Sequence, residues 1–461
     1  MMSKTLFNEF DGVSAKAWKQ KIQVDLKGAD YNETLLWKSD EGINVKPFYH
    51  VDDFEKFPAV SKTKASHWKI SQAINVNDAI EANTTARDAI ARGAESIIFN
   101  INSEDISIEE LLQNIDLITI SVELKCNFIS ENFTSKIVSS TSSKVEKPQV
   151  QIHTDIIGNL AKTGNWYNNL KDDHSKFEAI FKNTNQLSVD LSLYQNAGAT
   201  MIQQLAYGLS HANEYLNHLD DVIPSEAKQS LQTTFTVSVG SNYFFEIAKL
   251  RALRELWATL AKEYNVNPNC RIIATPSKRN KTIYDYNVNM LRTTTECMSA
   301  VLGGANLVCN MPYDALYHKP NEFGNRISRN QLLVLKHESY FDKVNNPADG
   351  TYYIENLTQQ LAEKALELFK DIEKNGGFLK QLKEGTIQRK TKESATNEQS
   401  EFDTKNRVLL GTNKHPNPDD KMKNDLEINP FLQKEERKTL IEPIIEKRLS
   451  EKLEIKRLKE E

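Results

Sequence analysis

From about residue 67 the chain alternates short strand-like runs with longer stretches whose apolar residues recur every three or four positions. No other feature of the sequence restricts the fold as strongly. Parallel strands are joined only by crossovers, usually helical, so a repeated β–α alternation predicts a parallel sheet wrapped in helices. Residues 234–260 give the clearest unit. TFTVSV (234–239) reads as a buried strand, and Gly240, Ser241 and Asn242 as the turn, with Ser241 or Asn242 expected to cap the next helix. Phe245, Ala248, Ala252, Leu256 and Leu260 share one helical face, and Lys249, Arg254 and Glu255 are expected to point elsewhere. Upstream, residues 79–91 read as a helix stopped by Gly93, 96–101 (SIIFNI) as a buried strand, 108–115 as a helix and 117–122 as a strand. Downstream, residues 307–310 read as a short strand and 357–374 as a helix closed by Gly376 and Gly377. Gly303-Gly304 lacks the Gly-Lys-Ser/Thr ending of a phosphate loop and reads as a tight helix-to-strand turn. The expected fold is α/β, a (β/α)8 barrel of the TIM type, which typically takes ~250 residues. The 461 residues leave room for flanking segments.

Residues 1–60 read as an extended arm with one short helix around 15–27. Trp18, Leu26, Leu35 and Trp37 give the arm apolar anchors but no core, so it is expected to lie on another surface, its own barrel or a partner's. Residues 61–384 are assigned to the barrel, with the Ser- and Lys-rich stretch 134–147 read as a loop or a shortened unit. Residues 385–461 read as a polar linker (388–406), a strand or strap (407–413) and a charged helical tail from 443 expected to face solvent. With 39% hydrophobic residues and a mean hydropathy of −0.55, no run approaches a membrane span. The N-terminus lacks the continuous apolar stretch of a signal peptide. A net charge of −5 gives no electrostatic reason to expect nucleic acid. The four cysteines form no C-x-x-C pair and read as reduced thiols of a cytoplasmic protein.

Six ordered blocks carry a family resemblance: SDEGINVKPFY (39–49), AGATMIQQLAYGLSHANEYL (197–216), SNYFFEIAKLRALRELWA (241–258), NVNMLRTTTECMSAVLGGAN (287–306), RISRNQLLVLKHES (326–339) and DGTYYIENLT (349–358). Together they resemble the methylmalonyl-CoA mutases, and in particular the non-catalytic small-subunit branch of the heterodimeric bacterial enzymes. The resemblance implies an adenosylcobalamin-dependent interconversion of succinyl-CoA and methylmalonyl-CoA. It implies that a large, catalytic partner subunit holds the cofactor and that this chain holds none.

Within the resemblance, two chemically important positions differ. Catalytic chains read Tyr-His-Met-Gln-Glu-Ala-Gly-Ala, with the histidine hydrogen-bonded to the thioester carbonyl. Aligned on Ala197-Gly198-Ala199, this chain reads Ser192, Leu193, Tyr194, Gln195, Asn196, and leucine has no hydrogen to donate. Catalytic chains also carry Trp-x-Ile-Arg-Gln-Tyr, whose tyrosine wedges against the cofactor. Here the stretch is Trp68-Lys69-Ile70-Ser71-Gln72-Ala73, so Ala73 replaces that tyrosine. The family's cobalt-binding Asp-x-His-x-x-Gly is approached only by DDHSKF (172–177), which ends in Phe177 and reads as a charged loop. No catalytic, cofactor or metal residue is therefore assigned. His153, Gln195 and Asn196 stand as substrate-pocket candidates, with a structural role as the alternative for His153. His211 and His218, seven apart, have no accompanying acidic or Cys ligand set. Arg292 with Thr293–295 is expected to brace the barrel. Two other readings stay open: an active mutase barrel served by a separate cobalamin-binding chain, and a non-catalytic CoA-thioester binding protein.

Overall fold

The computed structural model describes residues 9, 11–58, 63, 65–143, 148–220, 222, 224–432 and 437–461. Eight parallel strands are arranged around an axis: β1 (Lys69–Val76), β2 (Ser96–Ile101), β3 (Ser121–Cys126), β4 (Val150–His153), β5 (Gln186–Asp190), β6 (Gln232–Val239), β7 (Cys270–Pro276) and β8 (Leu307–Cys309). Backbone ladders join β1 to β4 in order, β5 to β8 in order, and β8 back to β1 through the Leu307–Lys69 register. Side chains seal the remaining seam between β4 and β5. Gln186 accepts from Ile152 N at 2.8 Å and donates to Val150 O at 3.2 Å. One step up, Ser188 Oγ accepts from Thr154 N at 3.0 Å, and Asp155 Oδ2 accepts from Asp190 N at 2.9 Å. The result is a nearly closed (β/α)8 barrel.

Alternation along the strands divides outside from inside. The outward Ile97, Phe99, Val122 and Leu124 pack under the first helices with Ala86 and Ile137. The outward Leu187, Val189, Phe235 and Val237 do the same under the helices Met201–Leu219 and Tyr243–Glu263, against Leu205, Phe245 and Trp257. Each large apolar side chain buried this way contributes roughly 1.5–3 kcal/mol. Inside, Ile98, Ile273, Leu307 and Cys309 fill one side of the barrel. The other side is polar: the fully buried Glu123 of β3 meets Arg271 of β7 at 2.6 Å and His153 of β4 at 2.8 Å.

Several local expectations need correction. The third strand begins at Ser121, not at 117, because Asp116 ties up the intervening residues in a turn through Ile118 N (3.0 Å) and the Thr119 hydroxyl (2.7 Å). Residues 134–147 are no loop up to Ser142. They continue the helix Glu131–Ser142, capped by Ser130, with Phe133, Ile137 and Thr141 one turn apart facing the core; residues 144–147 lie outside the described residues. The stretch read as a polar linker is the helix Thr386–Asp403, with Ile387, Gln388, Thr391 and Phe402 as its few buried side chains. Residues 407–413 form a turn-rich strap with no strand. The tail is not fully solvated: Arg448 and Glu454 are buried and paired at 2.7 Å, and only Glu451–Glu460 is helical. Lys249 is buried too, bonding Glu246 and Ser238 O. Neither Ser241 nor Asn242 caps its helix through a side chain; Glu246 reaches back to Gly240 N at 2.7 Å instead.

The arm lies partly on its own barrel. Ile43 joins the core, and the buried Glu41 carboxylate accepts from Met201 N (2.8 Å) and Ile202 N (3.0 Å). It thus satisfies two of the unpaired N–H groups at the start of a 19-residue helix, while burial pushes its pKa up. The arm helix Ala15–Asp25 buries none of its residues.

Candidate functional site

In a parallel barrel the C-terminal strand ends form the face where chemistry is done. Ala73 points into this mouth from β1 with an exposed methyl, beside Ile98 in register. Above it, Asn100 donates to Asn75 at 3.0 Å. Its chain neighbour Gln72 faces outward and bonds Arg329 at 3.2 Å. Across the barrel, β5 runs into the short helix Ser192–Asn196. Leu193 is 6% exposed and belongs to the apolar core. Tyr194 is fully buried, its hydroxyl 3.1 Å from His211 Nδ1.

The three pocket candidates separate. Asn196 is fully engaged by its own chain: Oδ1 accepts from Ser277 Oγ and Lys278 N, both at 3.0 Å, and Nδ2 donates to Glu446 at 2.9 Å. His153 lies inside the barrel, where burial pushes its pKa down despite the adjoining Glu123 carboxylate. Gln195 alone of the three lines an open cleft, and its Oε1 is buried without a partner.

That cleft encloses about 300 Å³ between the arm, the β5–β7 loops and the helix Thr386–Asp403. Gln204, Asn242 and Arg279 line it, with Trp37 and Arg407 at its edge. Arg279 is clamped by Glu398 and by Lys447 O at 2.7 Å. Arg407 pairs with Asp40, and with Glu401 at 3.1 Å. The tail passes alongside, with Lys447 N on Asn196 O at 3.1 Å and Leu449 N on Arg279 O at 2.9 Å. Such a cleft offers hydrogen bonds, but its cations are already neutralised by carboxylates. Among the described residues no group of three or more His, Cys, Asp or Glu side chains is placed to hold a metal. His211 and His218 do not converge. His211 bonds Asp155 at 2.9 Å in the interior, and His218 meets Glu178 at 3.0 Å in a half-exposed pair. Arg292 reaches Thr282, Asn289 and Leu410 O and so ties the β7 loop to the strap. Glu41, Arg279 and Glu398 were not singled out from the sequence. Glu41 lies inside the block 39–49, Arg279 between two blocks, and Glu398 in a segment read as a linker.

The fold defines an α/β barrel of the (β/α)8 type. The family described as methylmalonyl-CoA mutase matches residues 99–460. The chain belongs to the methylmalonyl-CoA mutase family. It is 34% identical to the methylmalonyl-CoA mutase small subunit of Porphyromonas gingivalis, over 89% of this chain and 71% of that one. It is 28% identical to the methylmalonyl-CoA mutase of Rhizobium meliloti, over 87% of this chain and 64% of the relative. The Porphyromonas gingivalis large subunit is 26% identical over 85% of this chain and 62% of its own length. The chain thus spans roughly two thirds of the length of these relatives. Among the described residues no helix is long and apolar enough to cross a membrane.

Proposed function

We propose that this chain is the non-catalytic small subunit of a heterodimeric methylmalonyl-CoA mutase and stabilises a homologous large subunit that performs the rearrangement. The observation that carries the reading is the chemistry of the mouth. Where a donor to a thioester carbonyl is needed, Leu193 is an apolar side chain turned into the core. Where a ring is needed against the cofactor, Ala73 offers one methyl group. Preorganised donors aimed at developing charge usually supply the largest share of catalysis, and loss of one such donor costs about 2.7–4 kcal/mol. The relative with 34% identity bears the small-subunit name, which supports the same reading.

Adenosylcobalamin does not fit the residues on hand. The nearest sequence to a cobalt-binding motif, DDHSKF, lies within the helix Leu170–Thr184 and not in a loop, and Phe177 is packed in the core where the motif needs a glycine. In the proposed holoenzyme the partner holds the cofactor. The test is turnover of methylmalonyl-CoA with added adenosylcobalamin, by this chain alone and by the pair. The reading expects activity only in the pair. Turnover by the isolated chain would overturn it in favour of an active barrel.

A further inference from the structure

A second cavity, of about 560 Å³, lies on the neighbouring face of the helix Thr386–Asp403, between that helix and the tail segment 443–447. Two side-chain tethers hold its long walls apart. At one end Gln388 Nε2 donates to Glu442 O at 2.9 Å, and at the other Gln399 Nε2 donates to Leu449 O at 3.2 Å. The stretch of helix between the tethers is roughly 16 Å long, at about 1.5 Å of rise per residue. The tail does not sink into the space, because Ile444 N is bonded to Ala161 O at 2.8 Å and Lys447 N to Asn196 O at 3.1 Å. Nor does the helix fill it: Thr391, Ala395, Thr396 and Ser400 are the small side chains that it presents there.

The walls are apolar and their polar points few. Ala197, Ala395, Pro443, Ile444 and Ile445 supply the apolar surface, and Ile445 is 40% exposed. Gln388 is 1% exposed. Its Nε2 is used on two carbonyls, Leu382 O at 2.8 Å and Glu442 O, which fixes the amide and leaves Oε1 buried without a partner. A buried acceptor left unmade is costly, and such groups are normally met by a donor. At the rim Lys447 is exposed, and its ammonium has no carboxylate partner among the described residues. The other two cations are already neutralised, Arg279 by Glu398 and Lys392 by Glu442. Mostly apolar walls with a few convergent polar groups are the make-up of small-molecule sites. We propose that this cavity binds an amphipathic organic anion. The ligand has an elongated apolar body, one N–H or O–H donor for Gln388 Oε1, and one carboxylate, sulfonate or phosphate within reach of Lys447. The site lies outside the barrel mouth and does not depend on the subunit reading.

The probe is anilinonaphthalene sulfonate, which carries an apolar ring body, one N–H and one sulfonate. It is titrated into the full chain, alone and with the large subunit, and followed by fluorescence. The variants are Ala395→Trp, which fills the cavity, and Lys447→Glu, which reverses the charge at its rim. Leu291→Ala, an exposed apolar position elsewhere, is the control. Melting of each variant is recorded, and Lys447→Glu, at an exposed position, decides alone should Ala395→Trp fail to fold. Decanoate and decylamine are then compared as competitors. Expected is saturable one-to-one binding in the micromolar range, at least tenfold weaker in Ala395→Trp and at least threefold weaker in Lys447→Glu. The control is unchanged, and decanoate displaces the probe where decylamine does not. Absence of saturable binding, or affinities within twofold of wild type in the folded variants, overturns the site. Equal displacement by decylamine overturns the anionic ligand. Loss of the probe on addition of the large subunit gives the groove to the partner and overturns the small-molecule occupant.

Discussion

Replacing Glu123 by Gln tests whether the barrel interior is held by charge. Glu123 has no exposed surface, yet it is ionised. Burial alone would push its pKa up, but Arg271 at 2.6 Å and His153 at 2.8 Å bring it down to about 2. The fall from the ordinary 4.5 corresponds to about 3 kcal/mol of stability. The sign is that of a depressed acid: the contribution is fully present above pH ~4.5 and fades as pH falls towards ~2. The amide keeps the shape and removes the charge, leaving Arg271 without its partner inside the barrel; breaking a buried pair by removing one member costs about 3–5 kcal/mol. Arg271 is about one quarter exposed, so partial hydration places the expected loss near ~3 kcal/mol at pH 7. Urea unfolding of wild type and Glu123→Gln at pH 7, 5, 4 and 3.5 is the assay. The gap in midpoint should be widest at pH 7 and should narrow below pH ~4.5. A gap worth less than ~1 kcal/mol at pH 7, or one that stays constant into acid, refutes the argument.

Asp155→Ala should be among the most damaging polar substitutions, by about 3–5 kcal/mol, because that carboxylate accepts from His211, Tyr215, Gly158 N and Asp190 N across the one seam without a backbone ladder. Thermal melting checks it, and a shift no larger than that of a surface substitution would show the seam to be held otherwise. Trp37→Ala should cost the isolated chain about 1 kcal/mol and leave pairing unchanged, since the indole packs edge-on against Phe245 of its own barrel at 5.7 Å. Tenfold weaker pairing would instead place the exposed half of this indole in the subunit interface. Titration of this chain with adenosylcobalamin, followed by visible absorbance, should show no base-off spectrum at micromolar concentrations; its appearance would remove the ground for assigning the cofactor to the partner.

What was legible in the sequence was whatever repeats. Units such as 96–101 and 234–260 announce themselves because strand and helix periods differ and each buries one face; the structure forms a strand at Ser96–Ile101 and a strand and helix at Gln232–Val239 and Tyr243–Glu263. The misread segments share a different property: their stability comes from contacts distant in sequence. Thr386–Asp403 has a polar composition that favours a loop, and it is helical against the barrel because Arg279 pairs with Glu398 and Ser394 Oγ bonds Gly198 O at 2.9 Å. The helix Glu131–Ser142 hides behind its hydroxyls, which fold back onto their own carbonyls at Ser130 and Ile137 while Phe133 and Ile137 do the packing. The mouth shows the same division. The residue types at positions 73 and 193 can be read from the chain, and with them the missing donor and ring. That Asn196 is satisfied by Ser277, Lys278 and Glu446 while its neighbour Gln195 keeps a free oxygen cannot be, because those partners lie 81, 82 and 250 positions away. Sequence therefore reports which chemical groups a barrel mouth lacks, and only the fold reports which of the remaining ones are already held by neighbours distant in the chain.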